Sequence, residues 1–265
     1  MLQFGLGLNV GLKRSGKKNQ DAVCVVNRFS NSPLMILADG MGGYQGGEIA
    51  SRIVIDTFKK EYKRRDKNVK IHEFLANTIS LSHKKIILTA NSNRNFAKMG
   101  STVVAVVVDQ KRDQIHIGNV GDSRAYLISK NIFQQISFDH SEVAELKRSG
   151  SISDEEALNY HRKNVLTMSL SASRSEDSVR PYINTFDFPK NSAILICSDG
   201  LWGPVSETLI QLAVLEFHPK QAAEKLIKIA NLNGGPDNIS VLIARRFGEW
   251  RKYKKEHSRD LEDTH

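Results

Sequence analysis

Leu34-Met35-Ile36-Leu37-Ala38-Asp39-Gly40-Met41-Gly42-Gly43 joins five apolar residues directly to an acid and a glycine-rich turn-like segment. Five apolar residues without alternation are the pattern of a strand buried on both faces. An acid at the end of such a strand sits at a partly desolvated sheet end, where negative charge is costly and a hard cation is a natural partner. The same junction recurs in Ile194-Leu195-Ile196-Cys197-Ser198-Asp199-Gly200. A lone Asp-Gly pair is a turn signal, but here two such pairs share one unusual context.

Outward from these junctions, short β-branched runs recur at 22–27, 102–109, 114–120, 124–128 and 239–244, and read as strands. Between them lie segments of helical period. Ile49, Ile53, Val54 and Phe58 mark one over 48–62, and Phe74, Leu75, Ile79 and Ile86 mark a second over 71–90. Two more cover 206–215 and 221–232. Helical pairs separating groups of sequential strands predict an α+β layered domain rather than a doubly wound parallel sheet. No repeat and no Pro/Gly/Ser linker divides the chain, so one domain is expected over residues 1–247. The polar stretch 138–173 reads as an insertion lying over a surface as a flap, with a helix start at Ser153-Asp154-Glu155-Glu156. Residues 248–265 read as a C-terminal tail.

The 265 residues are 40% hydrophobic and 25% charged, with a net charge of +9. Disorder as the dominant state is excluded. No apolar run is long enough to span a bilayer, and the N-terminus lacks the basic start of an export signal. Cys24 and Cys197 lie in apolar runs and read as buried thiols, so the cytoplasm is the expected compartment. Seven basic residues between Lys59 and Lys70, against Glu61 and Asp66, carry much of the charge. They follow an amphipathic helix and lack interleaved aromatics other than Tyr62, so a solvated helix end is expected there and nucleic acid is not an expected partner.

Most familiar sites are absent. There is no dinucleotide fingerprint, no P-loop, no cysteine-centred phosphate cradle and no histidine pair at zinc-ligand spacing. Acids punctuate the strands instead. Besides Asp39 and Asp199, Asp21 precedes a strand in Asn19-Gln20-Asp21, Asp122 sits between two strands in Gly121-Asp122-Ser123-Arg124, and Asp237 precedes Ile239 in Gly234-Gly235-Pro236-Asp237-Asn238. Converged on one rim, carboxylates without His or Cys select Mg2+ or Mn2+.

In order, DGMGG (39–43), GST (100–102), GDSR (121–124), SDGL (198–201) and GGPDN (234–238) resemble the metal-dependent protein phosphatases, the type 2C serine/threonine family in its bacterial form. The resemblance spans residues 5–245. It implies two packed antiparallel sheets flanked by helices, and hydrolysis of phosphoserine and phosphothreonine in proteins. It further implies that Asp39 bridges two Mn2+ or Mg2+ ions, that the Gly40 carbonyl and Asp21 complete one, and that Asp199 and Asp237 hold the other. A water between them would attack phosphorus in line, without a phosphoenzyme. Asp122 would help hold a third, weaker ion.

Departures from the family pattern concern the phosphate grip and the proton donor. The gripping Arg is expected five positions before Asp21, where this chain has Gly16; Arg14 lies seven before. Arg14 through a longer loop, or Lys17 or Lys18 as a point charge, takes that role. Met41 and Tyr44 stand where a histidine is common, which leaves His140 or His161 of the insertion, or a water, to protonate the leaving group. Gly203 and Pro204 stand where an acid is frequent. The implied partners are phosphoproteins made by a serine/threonine kinase, and the expected state is a monomer. A catalytically silent regulatory module is the rival reading, and the intact aspartate set argues against it.

Overall fold

A computed structural model describes residues 2–29, 31–42 and 46–246. The expected tail 248–265 and Tyr44 lie outside the described residues. In chain order the elements are β1 (Leu2–Asn9), β2 (Asp21–Phe29), β3 (Ser32–Met41), α1 (Gly46–Arg64), α2 (Ile71–Ser92), β4 (Gly100–Ser101), β5 (Val103–Asp109) and β6 (Gln114–Val120). There follow β7 (Arg124–Ser129), β8 (Ile132–Gln135), α3 (Glu142–Arg148), α4 (Asp154–Leu158), β9 (Leu170–Ser171), β10 (Tyr182–Asp187) and β11 (Ala193–Cys197). Last come α5 (Asp199–Trp202), α6 (Glu207–Glu216), α7 (Pro219–Leu232) and β12 (Ile239–Arg246).

Among the described residues the strands form two antiparallel sheets. One runs β1-β12-β11-β7-β8; the other runs β10-β6-β5-β3-β4-β9, with β2 also pairing with β3. Burial on both faces explains the unbroken apolar runs. In β3, Leu34, Ile36 and Ala38 face α1 and α2, whereas Met35 and Leu37 face the opposite sheet. In β11, Ala193, Leu195 and Cys197 face α6 and α7, and Ile194 and Ile196 face inward. Three apolar layers result, ordered helix, sheet, sheet, helix, and each fully buried aliphatic side chain contributes roughly 1.5–3 kcal/mol. The layered α+β expectation therefore holds, together with the two-sheet arrangement that the family resemblance implied.

β1 was absent from the expected strands because glycines interrupt its apolar side chains. Their reason is tertiary: a Cβ on Gly5 would lie 1.9 Å from the Pro219 carbonyl oxygen, so α7 approaches β1 as closely as only glycine allows. The short strands β4, β8 and β9 and the half-buried edge strand β10 also lack the long apolar run that marks a central strand. The basic segment after α1 is more than a solvated helix end. The Arg65 guanidinium lies 5.2 Å from the Phe29 ring centroid and 5.6 Å from that of Tyr62, and Arg28 donates to the Tyr62 and Arg65 carbonyls. Both cysteines are free; Cys197 is buried and Cys24 half-buried.

Candidate metal centre

Strand register brings the five aspartates to one end of the sandwich. Asp21 opens β2 directly opposite Asp39 near the end of β3. In the other sheet Cys197, two residues before Asp199, pairs with Arg124 of β7 and Val241 of β12. This places Asp122, Asp199 and Asp237 at adjacent strand ends. Across the sandwich, Ser240 Oγ donates to Asp21 Oδ2 at 2.5 Å, and Gln20 N donates to Asn238 Oδ1 at 2.9 Å, tying the two halves of the rim together.

Neither Asp-Gly pair is a turn. Asp39-Gly40 lies within β3, which continues to pair Gly40 with Ser101 of β4. Asp199 starts α5, with Ser198 preceding it. Gly40 is required by close approach: a Cβ there would lie 2.1 Å from the Gly47 carbonyl oxygen and 2.6 Å from that of Gln20. The backbone of Asp39 is fixed from both sides, its N–H donating to Thr102 Oγ1 at 3.0 Å and its carbonyl accepting from Thr102 N at 2.8 Å and Ser101 Oγ at 3.1 Å. This is the structural reason for the Gly100–Thr102 motif. Trp202 Nε1 donates to the Asp122 carbonyl at 3.0 Å.

The carboxylates load one another electrostatically. Burial raises Asp21 to about 6, even against hydrogen bonding from Ser240. Burial and then Asp139 raise Asp122 to about 6. Asp39 is raised well above the usual carboxylate range by burial and then by the charges of Asp21, Asp199 and Asp122. Asp199 is raised likewise by burial, Asp122, Asp237 and Asp21. Asp39 and Asp199 keep part of their surface open to solvent although protein surrounds both carboxyls. Asp21 Oδ1 and Asp199 Oδ1 are buried with no hydrogen-bond partner, which costs free energy unless a cation satisfies them. Among the described residues no three acidic, histidine or cysteine side chains converge as they stand in a ligating arrangement. Asp21 is engaged by Ser240 and Asp237 by Arg14. An all-oxygen set with unpartnered buried atoms fits a hard divalent cation.

Arg14 lies beside this cluster, on a short helical turn after β1 (12–14). Its Nε and Nη2 contact Asp237 Oδ1 and Oδ2, each at 2.8 Å. Lys17 is exposed on the same loop, and Lys18 pairs with Glu48 at 3.0 Å. His140 is not placed to serve as a proton donor: it is buried, its Nδ1 faces the Gly121 backbone at 3.3 Å, and burial lowers its pKa. His161 is exposed and packs on Tyr160. Sequence reasoning missed Thr102, Ser240 and Asn238 as supports of the acids. Thr102 and Asn238 lie within the quoted motifs, but a hydroxyl or amide that serves a neighbour's backbone has no signal of its own.

A sandwich of two antiparallel sheets with a carboxylate-lined rim at one end defines the layered class within which the comparisons place the chain. It belongs to the protein phosphatase 2C family, whose model matches residues 12–229. It is 36% identical over 232 residues, covering 86% of this chain and 90% of that protein, to the serine/threonine phosphatase stp of Listeria monocytogenes serovar 1/2a. Among solved structures, Staphylococcus aureus Stp1 superposes with a TM-score of 0.84 at 30% identity, covering 94% of this chain and 96% of that one. The catalytic domain of the phosphatase PstP, solved in complex with two manganese ions, matches with a TM-score of 0.79 at 29% identity over 92% of this chain and 97% of that one.

Proposed function

We propose that this protein is a metal-dependent phosphatase that removes phosphate from phosphoserine and phosphothreonine in other proteins, using two Mn2+ or Mg2+ ions. The carrying observation is the cluster of mutually raised aspartates at one rim, with Asp21 Oδ1 and Asp199 Oδ1 buried and unpartnered. Family membership and the two manganese ions of PstP support the same reading. Asp39 would be the shared ligand, Asp21 and the Gly40 carbonyl would hold one ion, and Asp199 and Asp237 the other. Asp122 would help hold a third, weaker one. When bound, such ions make water a nucleophile at neutral pH and neutralise charge on the phosphoryl oxygens.

The chain's own groups do the rest. Thr102 and Ser101 hold the Asp39 backbone and so fix the point from which its carboxylate projects. Arg14 is the candidate to grip phosphate oxygens in bidentate fashion once Asp237 is engaged elsewhere, and exposed Lys17 adds a point charge on the same loop. With His140 buried and His161 on the surface, leaving-group protonation falls to solvent. The substrates are products of a serine/threonine kinase, and the enzyme acts as a monomer in the cytoplasm. Two free cysteines and no described helix long and apolar enough to cross a membrane are compatible with that setting.

The test is release of phosphate from phosphoserine and phosphothreonine peptides with Mn2+, with and without chelator. Chelator-resistant hydrolysis would exclude the metal mechanism. No hydrolysis by folded, Mn2+-binding protein would favour the silent regulatory module.

A further inference from the structure

Beside the aspartate rim, α3 and α4 of the flap face α5 across a cleft of about 660 Å3. Asp199 and Asp237 line it together with Lys147, Arg148 and Lys163 of the flap. Phe138, Val143, Ala157 and Trp202 supply apolar lining. A side chain next to a phosphorylated residue docked at Asp199 and Asp237 therefore meets the flap.

The charge of this wall does not cancel. Asp139 is used by Arg124, whose Nη2 lies 2.8 Å from it. Asp154 is used by Lys147 at 2.6 Å. Arg148 and Lys163 have no carboxylate partner among the described residues; each donates only to a backbone carbonyl, Asp139 O at 3.1 Å and Leu158 O at 3.2 Å. Across the cleft Gly203 and Pro204 contribute no charge, and the acids there, Asp199 and Asp237, are those assigned to the ions. The Arg148 guanidinium also sits over a ring, 3.9 Å from the Phe138 centroid, as the Asp139-paired Arg124 sits 3.7 Å from that of Trp202. Stacking orders a cation without neutralising it, so little side-chain entropy remains to be lost when an anion arrives.

We propose that this cleft docks the peptide segment flanking the phosphorylated residue and selects segments bearing Asp or Glu, with Arg148 and Lys163 as the specificity-determining cations. The inference rests on the phosphatase reading and names the substrate class for that site. Acidic carboxylates meet Arg148 and Lys163, while the aliphatic part of the flank covers Phe138 and Trp202.

Matched phosphothreonine peptides whose flanks carry Glu, Gln or Lys test it, with p-nitrophenyl phosphate plus Mn2+ as a substrate that has no flank. Wild-type protein is expected to prefer the Glu peptide over the Gln peptide by about five- to tenfold in kcat/KM, expressed in KM and shrinking with added NaCl. Each variant's peptide ratio is normalised to its own p-nitrophenyl phosphate turnover. Lys163→Gln should reduce the preference two- to threefold, and Lys163→Glu with Arg148→Gln should favour the Lys peptide. Because Arg148 also braces the flap base, Lys163→Gln alone keeps the test decisive if the Arg148 variant misfolds. Equal use of Glu and Gln peptides by an enzyme that turns over p-nitrophenyl phosphate overturns the cleft proposal and leaves the phosphatase reading standing. Failure on every ester overturns both. A tenfold preference for a second phosphoserine in the flank over Glu would make phosphate the occupant and overturn the carboxylate assignment.

Discussion

The guanidinium of Arg14 holds the carboxylate of Asp237 with two contacts, Nε to Oδ1 and Nη2 to Oδ2, both at 2.8 Å. The pair spans the chain from the loop after β1 to the loop before β12, and both side chains are about one-third exposed, at 33% and 34%. Arg14 therefore already neutralises an acid proposed as a metal ligand. Cation binding at Asp237 must compete with it.

Arg14→Ala is accordingly expected to lower the stability of the metal-free protein by about 0.5 kcal/mol, a modest figure because solvent screens the pair. The same change should tighten Mn2+ binding a few-fold while raising KM for phosphopeptide. Calorimetric titration of the purified variant measures the first effect, and unchanged Mn2+ affinity would show that Arg14 and the ion do not share Asp237.

Asp39→Asn removes an ionisable group from the crowded acidic cluster and the proposed shared ligand at once. Phosphate release should fall by on the order of 10²-fold or more, since even groups that only support a ligand cost 10–100-fold. Melting in chelator should rise, because burial and the charges of Asp21, Asp199 and Asp122 all oppose ionisation at this position. A variant that melts lower than wild type in chelator would contradict the repulsion argument.

The acids also give a pH dependence of definite sign. Asp21 and Asp122 titrate near 6 in the folded protein, above the value of about 3.9 expected in an unfolded chain. The folded state thus binds more protons between those values, and these two groups make the metal-free protein lose stability as pH rises from about 4 through about 6. Ligation requires the deprotonated carboxylates, so Mn2+ affinity should climb across the same interval with release of protons. The gap between melting temperatures with Mn2+ and with chelator should widen from pH 5 to pH 7; a constant gap would place the binding groups elsewhere.

Gly5→Ala probes the contact between α7 and β1. Its Cβ would lie 1.9 Å from the Pro219 carbonyl oxygen and 2.1 Å from the carbonyl carbon, so the helix must move outward. Overpacking of this kind costs about 1–3 kcal/mol. Urea unfolding should show the midpoint shifted down at unchanged slope, and a wild-type midpoint would mean that the helix shifts freely.

Sequence carried the central strands and the acids because both are local signals. The runs 34–38 and 194–197 are apolar on both faces, and each delivers an aspartate to a strand end. What escaped depends on neighbours distant in sequence. Gly5 and Gly7 concealed β1 because their reason lies in α7. The engagement of Arg14 with Asp237 joins residues 223 positions apart, and no spacing rule announces it. His140, conspicuous as a titratable group in the insertion, is buried against Gly121 at the flap base, where desolvation holds it neutral.

The flap closes on itself at a narrow neck. Thr167 N donates to the His140 carbonyl at 3.0 Å and Glu142 N to that of Val165 at 2.9 Å, around an isolated bridge between Ser141 and Leu166. The intervening segment, with α3 and α4, leaves and re-enters the domain at nearly one point. Lengthening a loop whose ends are already joined costs only about 0.6 kcal/mol per doubling. The segment between Ser141 and Leu166 is in that sense a graftable cassette: trimming, extending or exchanging it is expected to leave the strand register around Asp39, Asp199 and Asp237 intact, so that substrate choice could diverge without rebuilding the acidic rim.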